Sequence, residues 1–244
     1  MKSSYQAYDL DKSVDRIDAI LDAPTGNYKE VKSIPSRDSL TFTNGYYVNC
    51  TSIYMDIKNS SKLPEKHQRP RLAKIYRSFI SEAVAILNSS TLCAEVNIHG
   101  DAAWAVYEGQ YTKNIDEAFS VAAKLSSLVK IINCRLQKRD IDGIAVGIGA
   151  DYGRALMIKA GYSGSGINDL VWMGDVVNRA ANMCKKAKEL SYHSQYICVS
   201  SVFYENLNDD NKKLLTKDFY SDYAHGSVVN SAMEDWWEKN CKDQ

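Results

Sequence analysis

Asp56 and Asp101 are the residues of this sequence best placed to do chemistry. Asp56 ends the apolar, aromatic and β-branched run from Gly45 in Tyr54-Met55-Asp56-Ile57, and Asp101 follows Gly100 at a bend between two apolar segments. Each interrupts its run where a core residue would otherwise continue. Singly, such an aspartate caps a helix or shapes a turn. Two of them within a few ångströms repel unless a cation lies between them, and hard Mg2+ or Mn2+ takes one or two carboxylates together with phosphate oxygens. The polar turn Lys58-Asn59-Ser60-Ser61 follows Asp56 directly and leads toward a helix, so its backbone N–H groups could meet phosphate.

Other candidates are poorer. Gly147, Gly149 and Gly153 match a crude dinucleotide fingerprint, but the run enters a strand rather than a helix. His67, His99, His193 and His225 have no metal-ligand spacing, and no Ser-His-Asp or Cys-His arrangement is present.

The elements that must position the two aspartates follow from periodicity. The run Gly45–Ile57 predicts a central strand, and Ile75, Phe79, Ala83, Ile86 and Leu87 predict a long helix after it. A hairpin from Leu92 to Tyr107 turns at His99-Gly100-Asp101, and a second amphipathic helix spans Ile115 to Leu136. Ile144–Ile148 and Gly153–Ala160 read as two further strands, with a glycine-rich turn from Tyr162 to Gly166 and a return at Leu170–Met173. A helix over Val176–Leu190 and a strand over Tyr196–Val199 follow. This β-α-β-β-α-β order is α+β and ferredoxin-like, an antiparallel-rich sheet with helices on one face. Residues 1–40 read as an N-terminal arm, 41–215 as the main domain, and 216–244 as an extension whose Trp236-Trp237 pair sits on a docking helix.

At 244 residues, 45% of them hydrophobic, the chain can bury a full core. Thirty basic residues balance thirty acidic ones, so no basic field exists to collect nucleic acid or an anionic membrane. No apolar run is long enough to span a bilayer, and the first residues lack a signal-peptide pattern. The six cysteines are scattered without a CxxC pair, which fits reduced thiols in the cytoplasm.

Four blocks, in order, resemble the class III nucleotidyl cyclase catalytic domain over residues 45 to 200. They are Tyr54-x-Asp56-Ile57, Asn97-Ile98-His99-Gly100-Asp101-x-x-x-Ala105, Gly147-Ile148-Gly149-x-x-x-Gly153, and Gly174-Asp175-Val176-Val177-Asn178-x-Ala180-Ala181. The resemblance implies a head-to-tail homodimer with active sites across its interface. It also implies that Asp56, Asp101 and the Ile57 carbonyl hold two Mg2+ or Mn2+ ions, while Asn178 of the second copy orients the ribose.

The sequence departs from the family at the base and phosphate positions. The residue four before Asp101, lysine in adenylate cyclases and glutamate in guanylate cyclases, is Asn97, and its companion three before Gly174 is Val171. Tyr54 is a further candidate to touch the base. The arginine four residues after the catalytic asparagine is replaced by Asn182, so Arg179, Lys185 or Lys186 would supply the positive charge at the phosphates. A preserved metal pair with altered base positions is similar to the stand-alone pyrimidine cyclases of Pycsar anti-phage systems. That similarity implies a free cytosolic enzyme making cyclic UMP, or second to it cyclic CMP, for a separate effector. An inactive cyclase-fold regulator and an adenylate or guanylate cyclase are the alternatives.

Overall fold

The computed structural model describes residues 5–190, 195–217 and 220–242, and His193 lies outside them. In chain order the elements are α1 (Leu10–Leu21), β1 (Tyr28–Glu30), β2 (Gly45–Ile57), α2 (Leu63–Lys66), α3 (Arg69–Leu87), β3 (Cys93–His99), β4 (Ala102–Glu108), α4 (Thr112–Gln137) and β5 (Val146–Tyr162). They continue with β6 (Ile167–Met173), α5 (Asp175–Leu190), β7 (Gln195–Ser200), α6 (Ser201–Glu205), α7 (Asp209–Lys213), β8 (Thr216–Lys217), β9 (Tyr223–Gly226) and α8 (Ser231–Cys241). Among the described residues no helix is long and apolar enough to cross a membrane.

The chain forms two compact units. The first comprises Met1–Asn49 and Arg154–Asp175. In it β1 adds a parallel strand to the start of β2, and the far half of β5 pairs antiparallel with β6, Leu156 opposite Met173 and Tyr162 opposite Ile167. Gly164 and Gly166 hold positive φ in the turn between them, a conformation glycine adopts without a side-chain clash. Asp9 caps α1 by accepting from the Lys12 N–H, yet none of its residues is buried, so the stripe Val14, Ile17, Ile20 and Leu21 faces outward.

The second unit comprises Cys50–Gly153 and Val176–Gln244. Its strands lie in the order β3-β4-β2-β5-β7-β9-β8. Neighbours β3/β4, β4/β2, β7/β9 and β9/β8 are antiparallel, whereas β5 and β7 are parallel. Ile75 and Phe79 of α3 and Phe119, Leu125 and Val129 of α4 pack with Ile53, Met55, Ile148 and Ala150 of the sheet in one core.

Side chains alternate across a strand, so Gly147 and Gly149 lie on the face opposite Ile148 and Ala150. There α5 lies directly on them. A Cβ at Gly149 would stand 2.1 Å from the Ala180 carbonyl oxygen, and one at Gly147 would stand 2.3 Å from that of Cys184. The expected placement of helices on one face is therefore corrected: α3 and α4 cover one side and α5 the other. The two strands expected around residue 150 are likewise one continuous β5, because its glycines clear space for a helix rather than break the strand.

The cysteine expectation is also corrected. Cys134 of α4 and Cys241 of α8 form a disulfide, with Cα atoms 5.9 Å apart. The expected C-terminal helix docks on α4: Lys130 pairs with Glu234 and lies 4.1 Å from the centre of the Trp237 ring, and Lys138 donates to the Asn240 carbonyl. Two cysteines 107 residues apart carry no local signal of such pairing.

Candidate active site

The β2/β4 register sets Asp56 opposite Ala102, Met55 opposite Ala103 and Tyr54 opposite Trp104. Asp101 immediately precedes Ala102, after a Gly100 at φ 63° that lets the β3–β4 hairpin turn tightly. Sheet pairing thus brings the two carboxylates together, as their places at the strand end and hairpin bend predict. Burial raises the Asp56 pKa above the ordinary carboxylate value; Lys188 pulls it back through a hydrogen bond and its charge, and the Asp101 charge pushes it up again. Asp101 keeps a buried Oδ2 with no hydrogen-bond partner.

Lys188 was missed by sequence reasoning. Its Nζ stands 2.5 Å from Asp56 Oδ2. Burial opposes its ammonium form, but the Asp56 hydrogen bond and charge raise its pKa overall. The available signal was helical spacing: Ala180, Cys184 and Lys188 recur every four residues along the side of α5 that faces the glycines of β5.

The donor set fits a hard divalent cation. Two carboxylates converge, one with an orphaned buried oxygen, and oxygen donors of this kind suit Mg2+ or Mn2+ with phosphate completing the shell. Among the described residues no group of three or more His, Cys, Asp or Glu side chains could hold a metal ion, so ligands beyond the two carboxylates would come from backbone, substrate or water. Ile57 closes β2 beside Asp56. The following turn has Asn59 in the left-handed region and Ser60–Lys62 in a single 3-10 turn, and the Lys58 N–H is taken by the Ala145 carbonyl at 2.7 Å. The turn leads into the short α2 and then a break, so it does not open straight into the long helix.

Asn97 lies opposite Trp104, which lies opposite Tyr54, so the three share one row across β3, β4 and β2. Asn97 Nδ2 donates to Glu95 Oε1 at 3.1 Å, and Glu95 is buried. Trp104 escaped sequence reasoning because only the register sets it beside Asn97; Glu95, two residues before Asn97 on β3, follows from strand alternation and was overlooked. Val171 belongs to the first unit, where it is exposed on β6 opposite Ile158.

The remaining candidates lie along α5. Asn178 and Asn182 are exposed. Asn178 is ten residues from Lys188, which meets Asp56, about 15 Å along the helix axis, and so stands away from the carboxylate pair of its own chain. Arg179 is engaged by the buried Asp151 at 3.7 Å. Asn182, Lys185 and Lys186 border a surface hollow of about 310 Å³ with Glu189 and Tyr223, and Lys186 pairs with Glu189 at 3.6 Å.

No protein-family model matches the chain. It is 39% identical, over 98% of its length and all of the relative's, to a uridylate cyclase of Gulbenkiania mobilis. It is 35% identical, over 97% of its length and 83% of the relative's, to a uridylate cyclase of Treponema porcinum. Among solved structures, a class III adenylyl cyclase-like ATP-binding protein from Pseudomonas aeruginosa aligns with a TM-score of 0.68 at 19% identity, over 92% of this chain and 49% of that one. The adenylyl cyclase CyaB from P. aeruginosa aligns with a TM-score of 0.59 at 16% identity, over 77% of this chain and 96% of that one. The fold that pairs Asp56 with Asp101 is thus that of the class III cyclases, and at the identities shared with the curated relatives the chain belongs to the uridylate cyclase family of nucleotidyl cyclases.

Proposed function

We propose that the chain is a metal-dependent, homodimeric cyclase that converts UTP, in preference to CTP, to the 3′,5′-cyclic monophosphate and pyrophosphate. The 3′-hydroxyl attacks the α-phosphorus, a new P–O bond forms, and pyrophosphate leaves. Asp56, Asp101 and the Ile57 carbonyl would hold two Mg2+ or Mn2+ ions, which supply a lowered hydroxyl pKa and neutralisation of the departing charge. Asn178 of a second copy orients the ribose, in keeping with its exposed place away from the carboxylates of its own chain. The Lys58–Ser61 turn, Lys185 and Lys186 meet the triphosphate. Residues 41–215 carry this chemistry, and a separate effector reads the cyclic nucleotide in anti-phage defence.

The observation that carries the choice of base is the hydrogen bond from Asn97 to Glu95. A carboxylate only accepts, so Glu95 keeps the amide nitrogen on its own side and prevents the amide from turning over. Uracil presents N3–H and O4, cytosine N3 and N4–H2, and a fixed amide matches only one of these edges. The names of the curated relatives favour uracil.

The test supplies each of the four triphosphates with Mn2+ to wild type and Glu95→Gln and identifies the products. Wild type should give mainly cyclic UMP. Freeing the amide should shrink the UTP-to-CTP ratio of kcat/KM by about tenfold, the cost of one mismatched buried hydrogen bond. A highest kcat/KM for ATP or GTP, or an unchanged ratio in Glu95→Gln, overturns the base assignment.

A further inference from the structure

The carboxylate pair already carries a cation of the chain's own. Lys188 Nζ stands 2.5 Å from Asp56 Oδ2, while Asp101 Oδ2 is left buried and unpartnered. The lysine reaches Asp56 because Gly147 clears its path: a Cβ there would stand 2.6 Å from Lys188 Cγ and 3.0 Å from Lys188 N. We propose that Lys188 is an internal counter-ion that competes with divalent metal for Asp56, holding the carboxylate pair together until the ion displaces it.

The inference rests on the reading of Asp56 and Asp101 as metal ligands. A Mg2+ or Mn2+ ion on Asp56, about 2.1 Å from its carboxylate oxygen, would stand close to the ammonium that already donates to Oδ2 at 2.5 Å, and the two cations repel. Each cation therefore weakens the other's hold on Asp56, most of all at Oδ2. Apparent metal affinity is the intrinsic affinity reduced by the fraction of molecules in which Asp56 is free. Conversely, in the metal-free protein the lysine offsets part of the repulsion between the two carboxylates.

This role has a readout that structural damage would not mimic. Damage to α5 weakens metal binding, whereas removal of a competitor tightens it. Lys188→Met keeps the stem over Gly147 and removes the charge. Mn2+ alone, without nucleotide, is titrated into the full chain by electron paramagnetic resonance, with melting followed in parallel for wild type, Lys188→Met, Lys188→Gln and Asp101→Asn.

If Lys188 occupies Asp56 nine-tenths of the time, Lys188→Met should bind Mn2+ about tenfold more tightly. It should melt lower than wild type without metal and gain more from Mn2+. Should Lys188→Met not fold, Lys188→Gln carries the same expectation with a polar end. Asp101→Asn should bind Mn2+ far more weakly than wild type. Unchanged or weaker Mn2+ binding by the folded Lys188 variant, with binding lost in Asp101→Asn, overturns the counter-ion role and leaves the metal ligands standing. Wild-type Mn2+ affinity in Asp101→Asn overturns the metal assignment and this inference with it.

Discussion

Arg179 Nε of α5 stands 3.7 Å from the carboxylate of Asp151, which is buried on β5 and accepts a hydrogen bond from the hydroxyl of Ser200 at the end of β7. Ser200 Oγ in turn accepts from the Phe203 N–H at the start of α6. One buried carboxylate therefore joins α5, β5 and the β7–α6 junction.

Removing that carboxylate should cost stability more than chemistry. Asp151→Ala leaves the guanidinium and the buried hydroxyl without this acceptor, so unfolding in urea should show a loss of about 1–3 kcal/mol; the half-exposed arginine keeps the figure below that of a fully buried pair. Asp151→Asn retains an acceptor for Ser200 and should lose less. Equal stability of all three proteins would remove the junction role.

The glycines of β5 should differ sharply in tolerance. Gly149→Ala forces a Cβ to 2.1 Å from the Ala180 oxygen and 2.2 Å from the Cys184 nitrogen, both backbone, so α5 must lift off the strand. A loss of about 1–3 kcal/mol or more is expected. Gly153→Ala meets only the Val176 Cβ at 3.9 Å and should melt near wild type. Thermal melting of the two variants side by side checks the contrast.

The Cys134–Cys241 bond should appear as a mass about 2 Da below the fully reduced chain, with a single cross-linked peptide on non-reducing digestion. Cys241→Ser should lower stability by about 2–4 kcal/mol. Six titratable thiols in the denatured, unreduced protein would contradict the bond.

Burial pushes the Cys50 and Cys198 thiols up to about 12 from 9.0. Between those values the folded chain holds protons that the unfolded chain releases. The stability that these thiols contribute is therefore complete below about pH 9 and is lost as pH rises toward 12. At pH 8 a thiol reagent should leave both unmodified until denaturant is added, and rapid modification of either in the native state would count against their burial.

A site shared between two copies predicts complementation. Asp56→Ala and Asn178→Ala proteins, each inactive alone, should recover about a quarter of wild-type turnover once subunits exchange at random, since half the dimers are mixed and each of these holds one intact site. Exchange shown by mass spectrometry without recovery would refute the shared site.

How much of this was legible in the chain depended on range. The aromatic and β-branched run Gly45–Ile57 and the 3.6-residue spacing of Ile75, Phe79, Ala83 and Leu87 report on neighbours in sequence, so β2, α3, the β3–β4 hairpin and α4 were readable, and with them the places of Asp56 and Asp101 at a strand end and a bend. Asn97 was singled out as a candidate base position only through its spacing from Asp101 in the family pattern.

What only the tertiary structure decided lies between elements far apart in the chain. Lys188 meets Asp56 across 132 residues, and Cys134 meets Cys241 across 107. Glu95 and Asn97 are two residues apart, yet their bond forms because β3 is held extended against β4, which puts both side chains on one face. Periodicity tells which face of an element is apolar, whereas strand order and register tell which element covers it. Gly147 and Gly149 show the difference: in the sequence they read as part of a crude dinucleotide fingerprint, and in the fold they are the surface on which α5 rests, because a backbone without side chains lets another backbone approach to contact.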